Sequence, residues 1–97
     1  MNKYLLKLKD FTLDFWRSKP VKIYLFGSWA RGEAQCSSDV DIAVERHGTE
    51  DLTLQIDEFR EALEDSCIIY NVDVVDMNMA AESLRQRIYK EGTLWKD

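Results

Sequence analysis

The sequence predicts an α+β fold: a small mixed β-sheet with helices packed on one face. Two observations lead to that reading. Three short segments rich in β-branched and aromatic residues, at 21–26, 39–45 and 68–75, read as strands. The stretches around them carry apolar residues at helical spacing, giving the order helix, strand, short helix, strand, helix, strand, helix. Ninety-seven residues leave room for one core, so residues 1–97 are expected to form one domain.

Residues 3–17 place Leu5, Leu8, Thr12 and Phe15 on one stripe, widened by Tyr4, Phe11 and Trp16. Pro20 cannot continue that helix and disfavours helical geometry at Lys19. A strand follows at 21–26. Gly27 then turns the chain into a short helix at 28–31, with a loop over 32–37. The segment 39–45 alternates cleanly, Val40, Ile42 and Val44 on one side and Asp39, Asp41, Ala43 and Glu45 on the other. His47-Gly48 breaks it. Thr49 is the expected cap of a helix running to about Asp65, with Leu52, Ile56, Phe59 and Leu63 as its buried stripe. In the strand 68–75, Asn71, Asp73 and Val75 share a face opposite Val72 and Val74. Asp76 or Asn78 is the expected cap of a last helix that aligns Met77, Ala81, Leu84 and Ile88 and stops at Gly92.

Composition narrows the function. The chain is 45% apolar and 32% charged, the balance of an ordinary globule. A net charge of −5 argues against direct nucleic-acid binding, which needs a concentrated basic surface. No apolar run approaches the ~20 residues that cross a bilayer, and no signal-peptide core is present, so a cytoplasmic protein without membrane contact is expected. Cys36 and Cys67 lack metal-ligand spacing, and one histidine makes zinc an unsuitable metal. Both are expected to be reduced thiols.

The chemistry concentrates at Gly27-Ser28 and at Asp39, Asp41 and Asp73. Aspartate is a poor strand former, yet Asp39 and Asp41 interrupt an otherwise ideal β pattern, and Asp73 lies mid-strand between Val72 and Val74. Carboxylates at i and i+2 share a face, with Cα atoms roughly 6.5–7 Å apart. If the third strand neighbours the second, Asp73 joins them. Three carboxylates repel one another, and divalent cations turn that repulsion into coordination. All-oxygen ligands suit Mg²⁺ shared with substrate phosphates, so two Mg²⁺ ions and a nucleoside triphosphate are expected. Gly27 permits a sharp bend and close approach to phosphate, and Ser28 offers an N–H and a hydroxyl. Arg31 is a candidate fork donor to the γ-phosphate, in competition with an ion pair to Glu33. Glu33, Glu45 and His47 read as surface residues. Of Trp16, Trp29 and Trp95, some belong to the core and one or two to a partner surface.

Gly27-Ser28, ten intervening residues and then Asp39-Val40-Asp41 fit the nucleotidyltransferase signature. Together with Gly-Ser-Trp-Ala-Arg-Gly, Ser-Asp-Val-Asp-Ile-Ala-Val and the later Val-Asp-Val-Val, the chain resembles the DNA polymerase β-like superfamily over roughly residues 21–92. Within it, the chain looks like the minimal nucleotidyltransferases, antitoxin-type proteins encoded beside an all-helical HEPN protein. The ending from Ser83 to Gly92 is similar to that group. The resemblance implies a polymerase β-like fold, with Asp39 and Asp41 as paired metal ligands, Asp73 as the third carboxylate and Gly27-Ser28 as the triphosphate turn. It also implies a HEPN partner, a hetero-oligomer, and a tyrosine of the HEPN toxin as acceptor of AMP.

The expected function is thus Mg²⁺-dependent transfer of AMP from ATP to a hydroxyl. The alternative is a non-catalytic nucleotide-binding module that neutralises or scaffolds a helical partner by contact alone. Transfer to a small molecule such as an aminoglycoside needs a substrate-binding region for which the chain has little room.

Overall fold

In the computed structural model, which describes residues 2–35 and 37–97, the elements run α1 (Lys3–Phe15), β1 (Val21–Phe26), α2 (Ser28–Arg31), β2 (Val40–Arg46), α3 (Thr53–Glu64), β3 (Val72–Asp76), α4 (Glu82–Glu91) and β4 (Thr93–Lys96). Cys36 lies outside the described residues; Cys67 is a free, exposed thiol. The sheet order is β3-β2-β1-β4, with β1 antiparallel to both neighbours and β2 parallel to β3. That is the mixed sheet the sequence predicts.

Alternation along the central strands builds the main core. Val21, Ile23 and Leu25 of β1 and Val40, Ile42 and Val44 of β2 pack under Leu5 and Leu8 of α1 and Ile56 and Phe59 of α3. Trp16 is fully buried and meets Phe15 and Phe59 edge-on. Trp95 of β4 is also buried in this core.

The helical cover is more divided than expected. α1 and α3 share one face, while α4 lies across the other. There Ile88 and the half-buried Leu84 pack on Tyr24, Ala43, Val75 and Met77. The outward positions of β1 to β3 alternate too, but their apolar members are confined to this patch. α4 therefore covers part of the second face, and the aspartates remain beside it.

Several boundaries shift, each for a local reason. α1 starts on an Asn2 cap whose Oδ1 accepts the Leu5 N–H at 2.8 Å, and it ends at Phe15, with Trp16 turned into the core. α3 begins at Thr53 rather than Thr49, because Asp51 Oδ1 accepts both the Thr53 N–H, at 3.0 Å, and its hydroxyl, at 2.6 Å. β3 spans Val72–Asp76, not 68–75, since Tyr70 leaves the ladder to lie against Trp29. Asp76 and Asn78 close the turn before α4 instead of capping it: Asp76 Oδ1 accepts the Asn78 N–H at 3.0 Å. Met77 is buried ahead of α4, outside its stripe. β4 had no counterpart in the sequence reading.

Candidate active site

β1 ends at Phe26, which is paired with Asp41, and Gly27 then takes φ = +75°. The Gly27 carbonyl accepts the N–H groups of Ala30 at 3.1 Å and Arg31 at 3.2 Å, folding the chain into the short turn of α2. A side chain at Gly27 would have no room. Its Cβ would overlap Asp41 Oδ2 and lie 3.2 Å from Asp41 Cγ. The bend and the carboxylate are therefore in van der Waals contact, which only glycine permits.

Asp41 is in direct register with Asp73 on the parallel neighbour β3, so both carboxylates leave the same face of the sheet from strands about 4.8 Å apart. Asp39 sits one residue before β2 begins and is exposed. The start of β2 is held firmly. Val40 N–H donates to Asn71 O at 2.9 Å, and the Trp29 indole donates to Ser38 O at 3.1 Å while tilting against Tyr70 at a centroid distance of 4.9 Å. Trp29 thus fixes the loop that delivers Asp39, while Trp16 and Trp95 are buried in the core.

The electrostatics bear out the proximity. Partial burial, then the charges of Asp73 and Asp39, push the Asp41 carboxyl above its ordinary value, and Arg31 works in the opposite direction. Among the described residues, no three His, Cys, Asp or Glu side chains already form a cage for a metal ion. The donor set still fits a hard divalent cation. It consists of oxygens only, Asp41 and Asp73 on neighbouring strands and Asp39 just ahead of β2, beside the bend at Gly27.

Arg31, half exposed, points its Nε at Glu33 Oε2, 3.1 Å away, and its Nη1 at Glu91 Oε2, 3.6 Å away. The pair with Glu33 weighed in the sequence is present; the contact with Glu91 had no sequence signal, because α4 meets α2 only in the fold. Glu45 is likewise more than a surface residue. It accepts hydrogen bonds from Tyr24, at 3.5 Å, and Tyr89, tying α4 to β2. That bond pushes the Tyr89 hydroxyl up to about 12.

A groove of about 700 Å³ runs along the free edge of β3, lined by Arg60, Glu64, Tyr70, Val72 and Asp73 among others. One of the three carboxylates is thus reached from outside the sheet edge. Among the described residues no helix is long and apolar enough to cross a membrane.

A family model described as "Polymerase beta, Nucleotidyltransferase" matches residues 8–96. The chain belongs to that family. No curated protein sequence matches it. Among solved structures, a toxin–antitoxin complex with AMP-PNP is 29% identical with a TM-score of 0.72, covering 90% of this chain and 71% of that one. A tri-AMPylated Shewanella oneidensis HEPN toxin in complex with its MNT antitoxin matches at 26% identity and a TM-score of 0.67, over 95% of this chain and 71% of that one. A proposed minimal nucleotidyltransferase is 29% identical with a TM-score of 0.73, over 92% of this chain and 90% of that one. The superfamily indicated by the Gly-Ser and Asp-x-Asp motifs is the family that matches, and the minimal nucleotidyltransferase group is among the solved structures this fold resembles, one of them in complex with a HEPN toxin.

Proposed function

We propose that this protein transfers AMP from ATP to a hydroxyl of a cognate HEPN toxin, a tyrosine being the acceptor, and so serves as the antitoxin of a cytoplasmic toxin–antitoxin pair. One observation carries the reading: Asp41 lies in register with Asp73 and against the side-chain-free bend at Gly27. The complexes with AMP-PNP and with an AMPylated HEPN toxin support the choice of nucleotide and partner.

In this reading Gly27 and Ser28 offer backbone N–H groups and the Ser28 hydroxyl to the phosphates, and Arg31 reaches the terminal phosphate. Asp39, Asp41 and Asp73 would hold Mg²⁺. Bound there, magnesium would neutralise charge developing on the phosphates and favour ionisation of the acceptor hydroxyl. Asp73, which borders the groove, would take the acceptor's proton. The acceptor oxygen bonds to the α-phosphorus as the bond to the bridging oxygen breaks, and pyrophosphate leaves. The chain acts as one domain in a hetero-oligomer with the toxin. Its net charge of −5 is consistent with a protein acceptor rather than a nucleic acid.

Intact-mass analysis tests the reading: the protein is mixed with ATP, Mg²⁺ and the HEPN protein encoded beside it. An AMP adduct on the HEPN protein, absent with Asp41→Asn or with chelator, supports transfer. Neutralisation of the toxin by Asp39→Asn/Asp41→Asn without any adduct would replace it with the contact-only module.

A further inference from the structure

Two carboxylates bracket Arg31, and they are anchored differently. Glu33 donates its backbone N–H to Ser28 O at 2.9 Å, so it belongs to the bend itself, and it meets Arg31 Nε at 3.1 Å. Glu91 arrives from the last turn of α4. Its position is set by Gly92, whose N–H donates to Ile88 O at 2.8 Å and where a Cβ would lie 3.3 Å from Leu25 O. The end of α4 is thus pressed onto β1 close to the bend. At 3.6 Å from Nη1, Glu91 is beyond good hydrogen-bond length, and both partners are more than a third exposed. An ion pair of that kind is weak and displaceable. A guanidinium grips a phosphate best with two parallel N–H donors, and Arg31 has both of its Nη groups to offer only when Glu91 lets go.

We infer that Glu91 sets the affinity of the site for polyphosphate: it holds Arg31 when no nucleotide is bound, yields it to the triphosphate, and reclaims it as pyrophosphate leaves. This rests on the reading of Arg31 as a phosphate ligand. It gives α4 a role in turnover that its packing on Tyr24 and Ala43 does not by itself suggest. Glu91 acts through Arg31 and is a positioning residue.

The experiment is calorimetric titration of the full chain with magnesium pyrophosphate and with magnesium AMP-PNP. Glu91→Gln is expected to tighten both ligands about 2–5-fold, the scale of one exposed ion pair, and to lower KM for ATP in the transfer assay by the same factor. Arg31→Ala is expected to weaken both ligands. In the Arg31→Ala background, Glu91→Gln is expected to change affinity less than about 2-fold, because the coupling runs through the guanidinium. Unchanged or weaker binding by Glu91→Gln overturns the inference. So does a gain that persists without Arg31, since Glu91 would then repel phosphate directly. Unaltered binding by Arg31→Ala removes the phosphate reading of Arg31 itself, a separate failure from a neutral Glu91→Gln.

Discussion

On the face covered by α1 and α3, Val21, Ile23, Val40 and Ile42 have no exposed surface. On the opposite face, one residue along the same strand, Asp41 is only half buried, and its register partner Asp73 is exposed. β2 therefore divides its labour by parity. Val40, Ile42 and Val44 hold the fold together, and Asp41 presents charge that the fold would be more stable without. The disfavoured ionisation of Asp41 is the mark of that tension. Stability and chemistry should accordingly respond to different substitutions made one residue apart.

The largest expected effect comes from Asp41→Asn. AMP transfer should fall by about 10³-fold or more, corresponding to about 4 kcal/mol of lost transition-state stabilisation. Because the folded state raises the Asp41 pKa, ionisation is disfavoured there relative to the unfolded chain, and the carboxylate destabilises the fold at neutral pH. Asn removes that charge, so the melting temperature without metal should rise by about 1–3 °C, small because the group is partly solvated. Ile42→Ala, its neighbour in β2, should do the reverse. A loss of about 2–5 kcal/mol is expected, seen as a fall in Tm of about 10 °C or more, with transfer per folded molecule nearly unchanged below the transition. If both variants move activity and Tm together, the division by parity is wrong.

Gly27→Ala sharpens the comparison at the point where the chain crosses from one role to the other. A methyl group at φ = +75° and ψ = −155°, a region essentially reserved for glycine, costs about 1–3 kcal/mol and must also push the Asp41 carboxylate aside. Transfer should drop about 10–100-fold, while Gly48→Ala, which meets no atom within 4 Å, should leave the rate intact.

The smallest effect belongs to the far end of the open face. Glu45 holds the Tyr89 hydroxyl proton up to about 12, against an ordinary value of 10.0. The folded chain thus keeps a proton that the unfolded chain loses between pH 10 and about 12. The contribution is complete below pH 10 and disappears as pH rises through about 12. Glu45→Gln should bring one tyrosine back toward 10 in a spectrophotometric alkaline titration and abolish that part of the pH dependence, leaving Tm at pH 7 within about 1 °C.

Much of this arrangement was legible before the fold was known, because local chemistry carries it. Asp39-Val40-Asp41 alternates within the strand, Gly27 follows an apolar run, and the α2 residues 28–31 lie where the glycine bend places them. What stayed hidden depends on which segments meet. β4 is four residues with an exposed Thr93 and Leu94, and it reads as a strand only once β1 offers it an edge. The start of α3 is set by Asp51, which accepts the Thr53 N–H and hydroxyl, while Thr49, also a good capping residue type, lies four residues before Thr53. Glu91 and Glu45 look like solvated charges on a helix end and a strand, and their partners Arg31, Tyr24 and Tyr89 come from other elements. The passage of α4 to the second face was foreshadowed by Tyr24, Ala43 and Val75, apolar residues at outward positions that a sheet covered on one side would not need.

The pairing of β1 with β4 has a further consequence for how this protein comes into being. Tyr24 and Leu94, and Leu25 and Thr93, are joined across most of the chain, and Trp95 seals the layer beneath α1 from the same late segment. A growing polypeptide can assemble β1, β2 and their bend early, but one edge of β1 stays unprotected until residues 93–96 have been synthesised. Native contacts of such long range fold slowly. During that interval an open strand edge is a target for chaperones and proteases.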